Sequence, residues 1–135
     1  MPRNFSYLIV KHLHGNMKSR WSDFLCSDGE KAWRQRDNEF EEELLSDEDI
    51  LSLYHAGWDV LFSTLNSLSE SQLKEIIYIR GEAHSVLEAI NRQIAHYSYH
   101  VGQIVYLAKA IKSSSWLSLS IPKNKSAEFN KGMNH

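Results

Sequence analysis

The chain has 135 residues, of which 42% are hydrophobic and 24% charged, and its formal net charge is −2 at pH 7. This length fits one domain, and the slightly acidic balance excludes a broad basic surface for nucleic acid or an acidic membrane. The single cysteine, Cys26, excludes an internal disulfide and a cysteine-built zinc site. No signal peptide and no membrane-spanning stretch can be read, so we expect a cytoplasmic protein.

The first predicted helix covers about residues 4–25. Its apolar positions recur near helical spacing and are Phe5, Ile9, Leu13, Met17 and Phe24. The sequence "SDG" at 27–29 ends it. A long polar connection follows, and we expect Trp33 and Phe40 to pin it to the body of the protein.

The second predicted helix begins after Ser46, a capping serine followed by three acidic residues at the positive end of the helix. Its apolar face comprises Ile50, Tyr54, Trp58, Leu61, Leu65 and Leu68. It ends near "NSLSESQ", after which 76–79 are predicted to be extended and Gly81 to form a turn.

The third predicted helix opens at the capping-box sequence "SVLE" (85–88) and runs to about Lys112. Its core stripe comprises Val86, Ile90, Ile94, Tyr97, Val101, Ile104 and Ala108. Three amphipathic helices predict an all-α, up-and-down helical bundle that forms a single domain over residues 1–135. The tail from about 113 to 135 is predicted to be irregular.

Two histidines in "HYSYHVGQI" stand four residues apart on the third helix. On a helical wheel His96 and His100 share a face at the edge of the core stripe, and at about 5–6 Å between Cβ atoms both imidazoles can reach one ion. The zinc-protease pattern is absent, because Tyr97 stands where that pattern needs glutamate. On spacing alone, ordinary histidines are the commoner explanation. A third ligand would come from His12 or His14, and helical phase does not decide between them.

Four segments taken together resemble the DinB/YfiT-like superfamily, and more narrowly a bacterial subgroup of unknown function. They are "VKHLHGNMKSRWSDFL", "DGEKAWRQRDNEFE", "IRGEAHSVLEAINRQIAHYSYHVGQIV" and "SLSIPKNKSAEFN". The resemblance implies a four-helix bundle with one divalent metal, held here by His12, His96 and His100, and it makes His14 incidental. The helix that precedes "VKHL" in the superfamily is expected to be missing or very short in this chain.

The resemblance also implies a function, a metal-dependent enzyme that activates a thiol or water for transfer to, or hydrolysis of, a small-molecule electrophile. The implied thiols are of low molecular weight, such as bacillithiol or mycothiol. Zinc or nickel suits imidazole ligands best, and iron or manganese is compatible with them. The alternative is a non-catalytic, metal-binding or dimerising helical bundle. A homodimer is expected, and no nucleic acid or membrane partner.

Polar residues one helical turn from the histidines are candidates for orienting the imidazoles or contacting substrate. These are Asn16 after His12 and Gln103 after His100, although plain polar residues at a helix edge are an equal alternative. Arg20 and Arg80 are candidates for an anionic substrate, but solvated or ion-paired arginines are commoner. No catalytic residue is predicted beyond the metal ligands.

Overall fold

A computed structural model describes residues 6–133, and most of them are helical. Three long helices are α1 (Ser6–Trp21), α2 (Asp47–Ser67) and α3 (Val86–Lys112), and a short α4 covers Ser126–Met133. Between α2 and α3 lies an antiparallel hairpin of β1 (Ile76–Ile79) and β2 (Glu82–Ser85). The predicted all-α bundle is confirmed. Phe5 of the predicted first stripe lies outside the described residues.

The described residues fall into two compact units, divided between Ile104 and Val105. The first unit holds α1, α2, the hairpin and α3 as far as Ile104. The second holds the last turns of α3 and α4, so the tail predicted to be irregular contains one helix. No glycine or proline interrupts the chain from Lys123 to Lys131, which lets that helix form. The single-domain assignment stays a prediction.

Helix α1 is the central element of the first unit. Its apolar side chains Leu13, Met17 and Trp21 pack into the core together with side chains from the other elements of this unit. The remaining buried core residues are Phe24, Leu61, Ile77, Ile79, Val86, Ala89 and Tyr97. A second side of α1 buries polar groups, namely His12, Asn16, Ser19 and Arg20. Because α1 is covered on both sides, its polar side chains are held inside the protein.

The first helix ends at Trp21, four residues earlier than predicted. Asp23 adopts a left-handed backbone conformation with φ of 48°, and an α-helix cannot continue through it. Its carbonyl oxygen accepts hydrogen bonds from the backbone N–H groups of Cys26 and Ser27. This compact turn brings Phe24 back onto Trp21, with ring centroids 4.9 Å apart.

The capping box at Ser46 and Asp49 is present at the start of α2, as the sequence predicts. Gly57 on α2 is buried against α1. A Cβ atom there would lie 3.0 Å from the Met17 sulfur and 3.3 Å from the Cα atom of His14. The absence of a side chain at Gly57 therefore sets the spacing between the two helices.

The predicted core stripe of α3 is only partly correct. Val86 and Tyr97 are buried, but Ile94 and Val101 are 58% and 42% exposed. Gln93, which the apolar pattern left out, is buried instead. Within the described residues of this unit no further helix covers the side of α3 that carries Ile94.

The connection between α1 and α2 is held by charged groups, and Trp33 does not pin it, because that side chain is 56% exposed. Glu39 is buried, and the guanidinium of Arg34 donates two hydrogen bonds of 2.8 and 2.9 Å to its carboxylate. Phe40 is 46% exposed but stacks on the ring of His12, with ring centroids 5.2 Å apart. Paired charges can replace apolar side chains as anchors when each is fully hydrogen-bonded.

The segment 76–79 is extended, as predicted, and it pairs with a second strand that the sequence did not predict. Ile77 and Ile79 face the core while Ile76 and Tyr78 face outward. The two-residue loop is Arg80 and Gly81, both with positive φ, which is the conformation of a tight hairpin turn. Asp28 accepts the backbone N–H groups of both loop residues at 2.8 Å and so ties the hairpin to the α1–α2 connection.

Candidate metal centre

Three imidazoles converge where α1 faces α3. His12 of α1 is buried, and its Nε2 lies 3.3 Å from the Nε2 of His96. The Nε2 of His100, one helical turn further along α3, lies 3.2 Å from the same His96 atom. All of these nitrogen atoms lie within 4.8 Å of one another. The structure thus brings together the ligand set that the resemblance implies, while ligation itself stays a prediction.

In two of the histidines, the ring nitrogen that points away from the cluster, called here the outer nitrogen, already has a hydrogen-bond partner. The Nδ1 of His12 donates to the Glu39 carboxylate at 2.8 Å, and the Nδ1 of His100 donates to the side-chain oxygen of Gln103 at 2.8 Å. Because a neutral imidazole carries one proton, the Nε2 atoms of His12 and His100 present lone pairs. The Nε2 of His96 carries one proton at most, so it can donate a hydrogen bond to only one of these two lone pairs.

A divalent ion fits this donor set. Two nitrogens bound to one tetrahedral zinc at the usual bond length lie about 3.3–3.4 Å apart. The two contacts at His96 measure 3.3 and 3.2 Å, and the nitrogens of His12 and His100 lie within 4.8 Å of each other. The converging lone pairs need an electrophile, and the outer nitrogens carry the oxygen partners that typically orient metal-binding histidines. The chemistry of the residues present therefore fits a three-histidine site.

The surroundings of His96 and His100 favour the neutral imidazole, which is the form that binds a metal. Desolvation lowers the pKa of His96 to about 4, and the neighbouring His100 and His12 act in the same direction. Desolvation also lowers the pKa of His100, although its hydrogen bond to Gln103 opposes the effect. A metal ion would therefore meet little competition from protons at these two residues near neutral pH.

Glu39 is a residue of this site that the sequence did not reveal. It lies 27 residues from His12 in an acidic run, and nothing in its local pattern distinguishes it from the neighbouring glutamates. Burial raises its pKa, but hydrogen bonds from His12 and Arg34 outweigh burial and hold the pKa below its ordinary value. Gly15 makes room for it, since a Cβ atom there would overlap the Glu39 carboxylate.

The two predicted orienting residues have different surroundings. Gln103 contacts His100, as described above. Asn16 is buried but accepts a hydrogen bond from the Tyr97 hydroxyl at 3.0 Å, and Glu39 rather than Asn16 contacts the outer nitrogen of His12. Asn16 also lines a cavity of about 260 Å³ beside His12 and His96. Asn16 is therefore placed to contact a ligand in that cavity.

The remaining described histidines lie elsewhere. His14 is half-buried, and its Nδ1 pairs with the backbone oxygen of Leu53 on α2 at 2.9 Å. Its neighbour His12 faces α3 instead. Helical phase could not distinguish His12 from His14, and the tertiary structure places His12, not His14, beside His96 and His100. His55 and His84 are outside the cluster of converging nitrogens.

In the described residues, no helix combines the length and the apolar character needed to cross a bilayer.

Comparison with known proteins places the chain in a family. Neither the search of curated proteins nor the search of solved structures returned a match. One family model, described as "Protein of unknown function (DUF1572)", matches residues 2–125, which is nearly the whole chain. The chain therefore belongs to the DUF1572 family.

Proposed function

We propose that this chain is a metal-dependent enzyme of the DinB/YfiT-like type, with one divalent ion held by His12, His96 and His100. The observation that carries the proposal is the convergence of three imidazole nitrogens, two of them on rings whose outer nitrogens are already hydrogen-bonded. Three protein ligands leave at least one coordination position open, which is the arrangement of catalytic sites. Zinc or nickel suits these ligands, and iron or manganese is compatible with them.

The proposed reaction is transfer of a thiol to a small-molecule electrophile, or hydrolysis of that electrophile. When bound, an ion at such a site supplies Lewis acidity that favours the deprotonated form of a thiol or water near neutral pH. The chain's own residues orient the ligands: Glu39 fixes His12, and Gln103 fixes His100. The adjoining cavity of about 260 Å³ has the size of a small molecule.

The first test is metal content by mass spectrometry of protein purified without a metal-binding tag. We expect about one equivalent in the native chain and none in His100→Ala, because two imidazoles hold a divalent ion far more weakly than three. His14→Ala and His55→Ala are the controls and should retain the metal, since both residues lie outside the cluster. A native chain that stays free of metal after reconstitution with each of the four ions would contradict the proposal.

A non-catalytic, dimerising bundle is the second candidate, and an apolar groove between α2 and α3 favours it. The groove has a volume of about 360 Å³, and its wall includes Trp58, Phe62, Ile94 and Val101. Turnover of an electrophile such as 1-chloro-2,4-dinitrobenzene with added thiol separates the two candidates. Turnover that His100→Ala abolishes supports the enzyme, whereas metal binding without turnover for any thiol or ester supports the second candidate.

A further inference from the structure

Five of the six arginines in the sequence line the cavity beside the histidine cluster. They are Arg20, Arg34, Arg36, Arg80 and Arg92, and the sixth, Arg3, lies outside the described residues. They come from α1, the α1–α2 connection, the hairpin loop and α3, so only the fold brings them together. No lysine of the described part of the chain lines this cavity. Arginine is the residue suited to planar, bidentate recognition of carboxylates and phosphates.

The protein's own carboxylates do not balance this charge. Glu30 lies 3.0 Å from Arg20 and 3.2 Å from Arg80, and Glu39 pairs with Arg34. Asp28 also interacts with the charge of Arg20, so three carboxylates face five guanidinium groups and a positive excess remains. Arg36 and Arg92 have no carboxylate partner within 4.0 Å among residues 6–133. Such an excess of positive charge attracts an anion to the cavity, although the overall charge of the chain is negative.

Buried polar atoms around the cavity also lack partners. Arg20 is 6% exposed, and its Nε donor has no hydrogen-bond acceptor among the described residues. Gln93 is 4% exposed, and its side-chain oxygen has no donor there either. Both residues line the cavity. Buried polar groups are nearly always satisfied, so unpaired ones at a cavity wall indicate a ligand or water that completes them.

The arginines are positioned to hold a molecule whose other end reaches the histidines. Arg92 precedes His96 by one turn of α3, so their Cβ atoms are about 5–6 Å apart. Arg20 lies two turns after His12 on α1, on the same buried polar side. Arg36 lies over the Phe40 ring, 5.2 Å from its centroid, and that ring stacks on His12. The anionic site and the candidate metal centre are thus parts of one cavity.

We propose that this cavity binds the anionic group, a carboxylate or a phosphate, of the small molecule that reacts at the histidine cluster. The inference rests on the proposed function for the reacting end of the molecule and on the arginines for its other end. The substrate class is then a small thiol or electrophile that carries a carboxylate or phosphate. The volume of about 260 Å³ limits it to a small molecule.

The test uses the chain reconstituted with cobalt(II), whose thiolate charge-transfer band reports binding directly. Three thiols of similar size are titrated: 3-mercaptopropionate, which is anionic, 2-mercaptoethanol, which is neutral, and cysteamine, which is cationic. We expect 3-mercaptopropionate to bind about fivefold more tightly than 2-mercaptoethanol, because hydrogen bonds to charged groups are the stronger class. Added salt should reduce this preference. Inorganic phosphate should compete with 3-mercaptopropionate, and a lack of competition would restrict the site to carboxylates.

Variants assign the preference to the arginines. Arg92→Gln and Arg36→Gln each remove one unpaired guanidinium, and we expect each to reduce the preference for the anionic thiol about threefold or more while cobalt binding is retained. Lys74→Gln is the matched control, since it removes one positive charge from an exposed residue that does not line the cavity. Equal affinity for the three thiols, or a preference that neither arginine variant changes, would overturn the inference.

The anion proposal and the metal proposal fail separately. Calorimetry of the metal-free chain with inorganic phosphate tests the arginines without any ion at the histidines. Phosphate binding that Arg92→Gln weakens, in a chain that never binds cobalt, would support the anionic site and contradict the metal centre. Cobalt binding without any preference for the anionic thiol, and without phosphate binding, would support the metal centre and contradict the anionic site.

Discussion

At the scale of single residues, the candidate centre depends on a chain of hydrogen bonds that begins outside the ligands. Arg34 donates hydrogen bonds to both carboxylate oxygens of Glu39, and the same carboxylate accepts a hydrogen bond from the outer nitrogen of His12. The side chain of Arg34 is only 2% exposed and that of Glu39 is 10% exposed, so water screens these charges little. The carboxylate keeps the proton of His12 on Nδ1 and leaves Nε2 free for an ion.

Replacement of Glu39 by glutamine should weaken metal binding about 10- to 100-fold, the usual effect of removing a partner that orients a ligand. The variant keeps the size of the side chain but loses the negative charge that stabilises His12 in its metal-binding orientation. Competition with a chromophoric chelator measures the affinity. Glu43→Gln is the control, because Glu43 contacts Lys11 and its side chain is 58% exposed. An affinity equal to that of the control variant would show that Glu39 has no role in metal binding.

The lowered pKa of His96 predicts how the metal-free protein responds to acid. The folded pKa is about 4 against an ordinary value of 6.5, so the unfolded chain binds more protons between these pH values. Stability should therefore fall as pH decreases from about 6.5 to about 4. His100 and His14, whose pKa values are also lowered, act in the same direction.

Urea unfolding of metal-free protein at intervals over that pH range measures the effect. His96→Gln should show a smaller loss of stability with acid than the native chain, because glutamine does not titrate. His55→Gln should behave like the native chain. A native stability that is constant from pH 6.5 to pH 4.5 would contradict this prediction.

At the scale of elements, the irregular connection after α1 is fixed to the hairpin by Asp28. Its carboxylate accepts three backbone N–H groups, from Glu30 at 2.7 Å and from Arg80 and Gly81 at 2.8 Å. Partial burial raises the pKa of Asp28, but these three donors and the charge of Arg20 together hold it below its ordinary value. The turn residue Arg80 has a φ of 55°, a conformation that costs energy for a residue with a side chain and is stabilised here by Asp28.

Asp28→Asn should lower the free energy of unfolding by about 1–2 kcal/mol near neutral pH, because one or two charge-assisted hydrogen bonds are lost. The folded pKa of Asp28 lies below 3.8, so the difference between the two proteins should be present above that pH and should disappear in stronger acid. Asp59→Asn, an exposed position on α2, is the control. Urea unfolding at pH 7 and at pH 2.5 tests both statements. Equal stability of the two proteins at pH 7 would contradict the role of Asp28.

At the scale of the whole molecule, the apolar groove between α2 and α3 is the feature that bears on assembly. Phe62 and Ile94 at its wall are 53% and 58% exposed. Contiguous apolar surface of this kind is typical of an interface. A homodimer, which the resemblance to the DinB/YfiT-like superfamily predicts, would cover it with a second copy of the same groove.

Ile94→Glu should shift the chain from dimer toward monomer, because it places a charge at the centre of an apolar contact. Sedimentation equilibrium over a range of protein concentrations measures the dissociation constant. Leu87→Glu is the matched control, since Leu87 is also on α3 and 49% exposed but does not line the groove. A native chain that stays monomeric at every concentration, or variants with equal dissociation constants, would contradict the prediction.

Local patterns were sufficient for the helices and for part of the site. The capping residues Ser46 and Ser85 predicted the starts of α2 and α3, and the serine run at 113–115 predicted the end of α3. Helical spacing placed His96 and His100 on one face. The core stripe of α3 was less accurate, because hydrophobicity does not show which neighbouring element covers a given face, and Ile94 is exposed for that reason.

The sequence by itself determined the three long helices, the caps that begin α2 and α3, and the pairing of two histidines, because each of these depends mainly on residues close together in the chain. Only the tertiary structure decided that His12 rather than His14 joins that pair, and that Glu39 supports His12. It also decided that arginines from four separate segments share one cavity. Glu39 lies 27 positions from His12 in the sequence, and His96 lies 84 positions from it. Contacts between residues so far apart in the chain leave no periodic signal in the sequence.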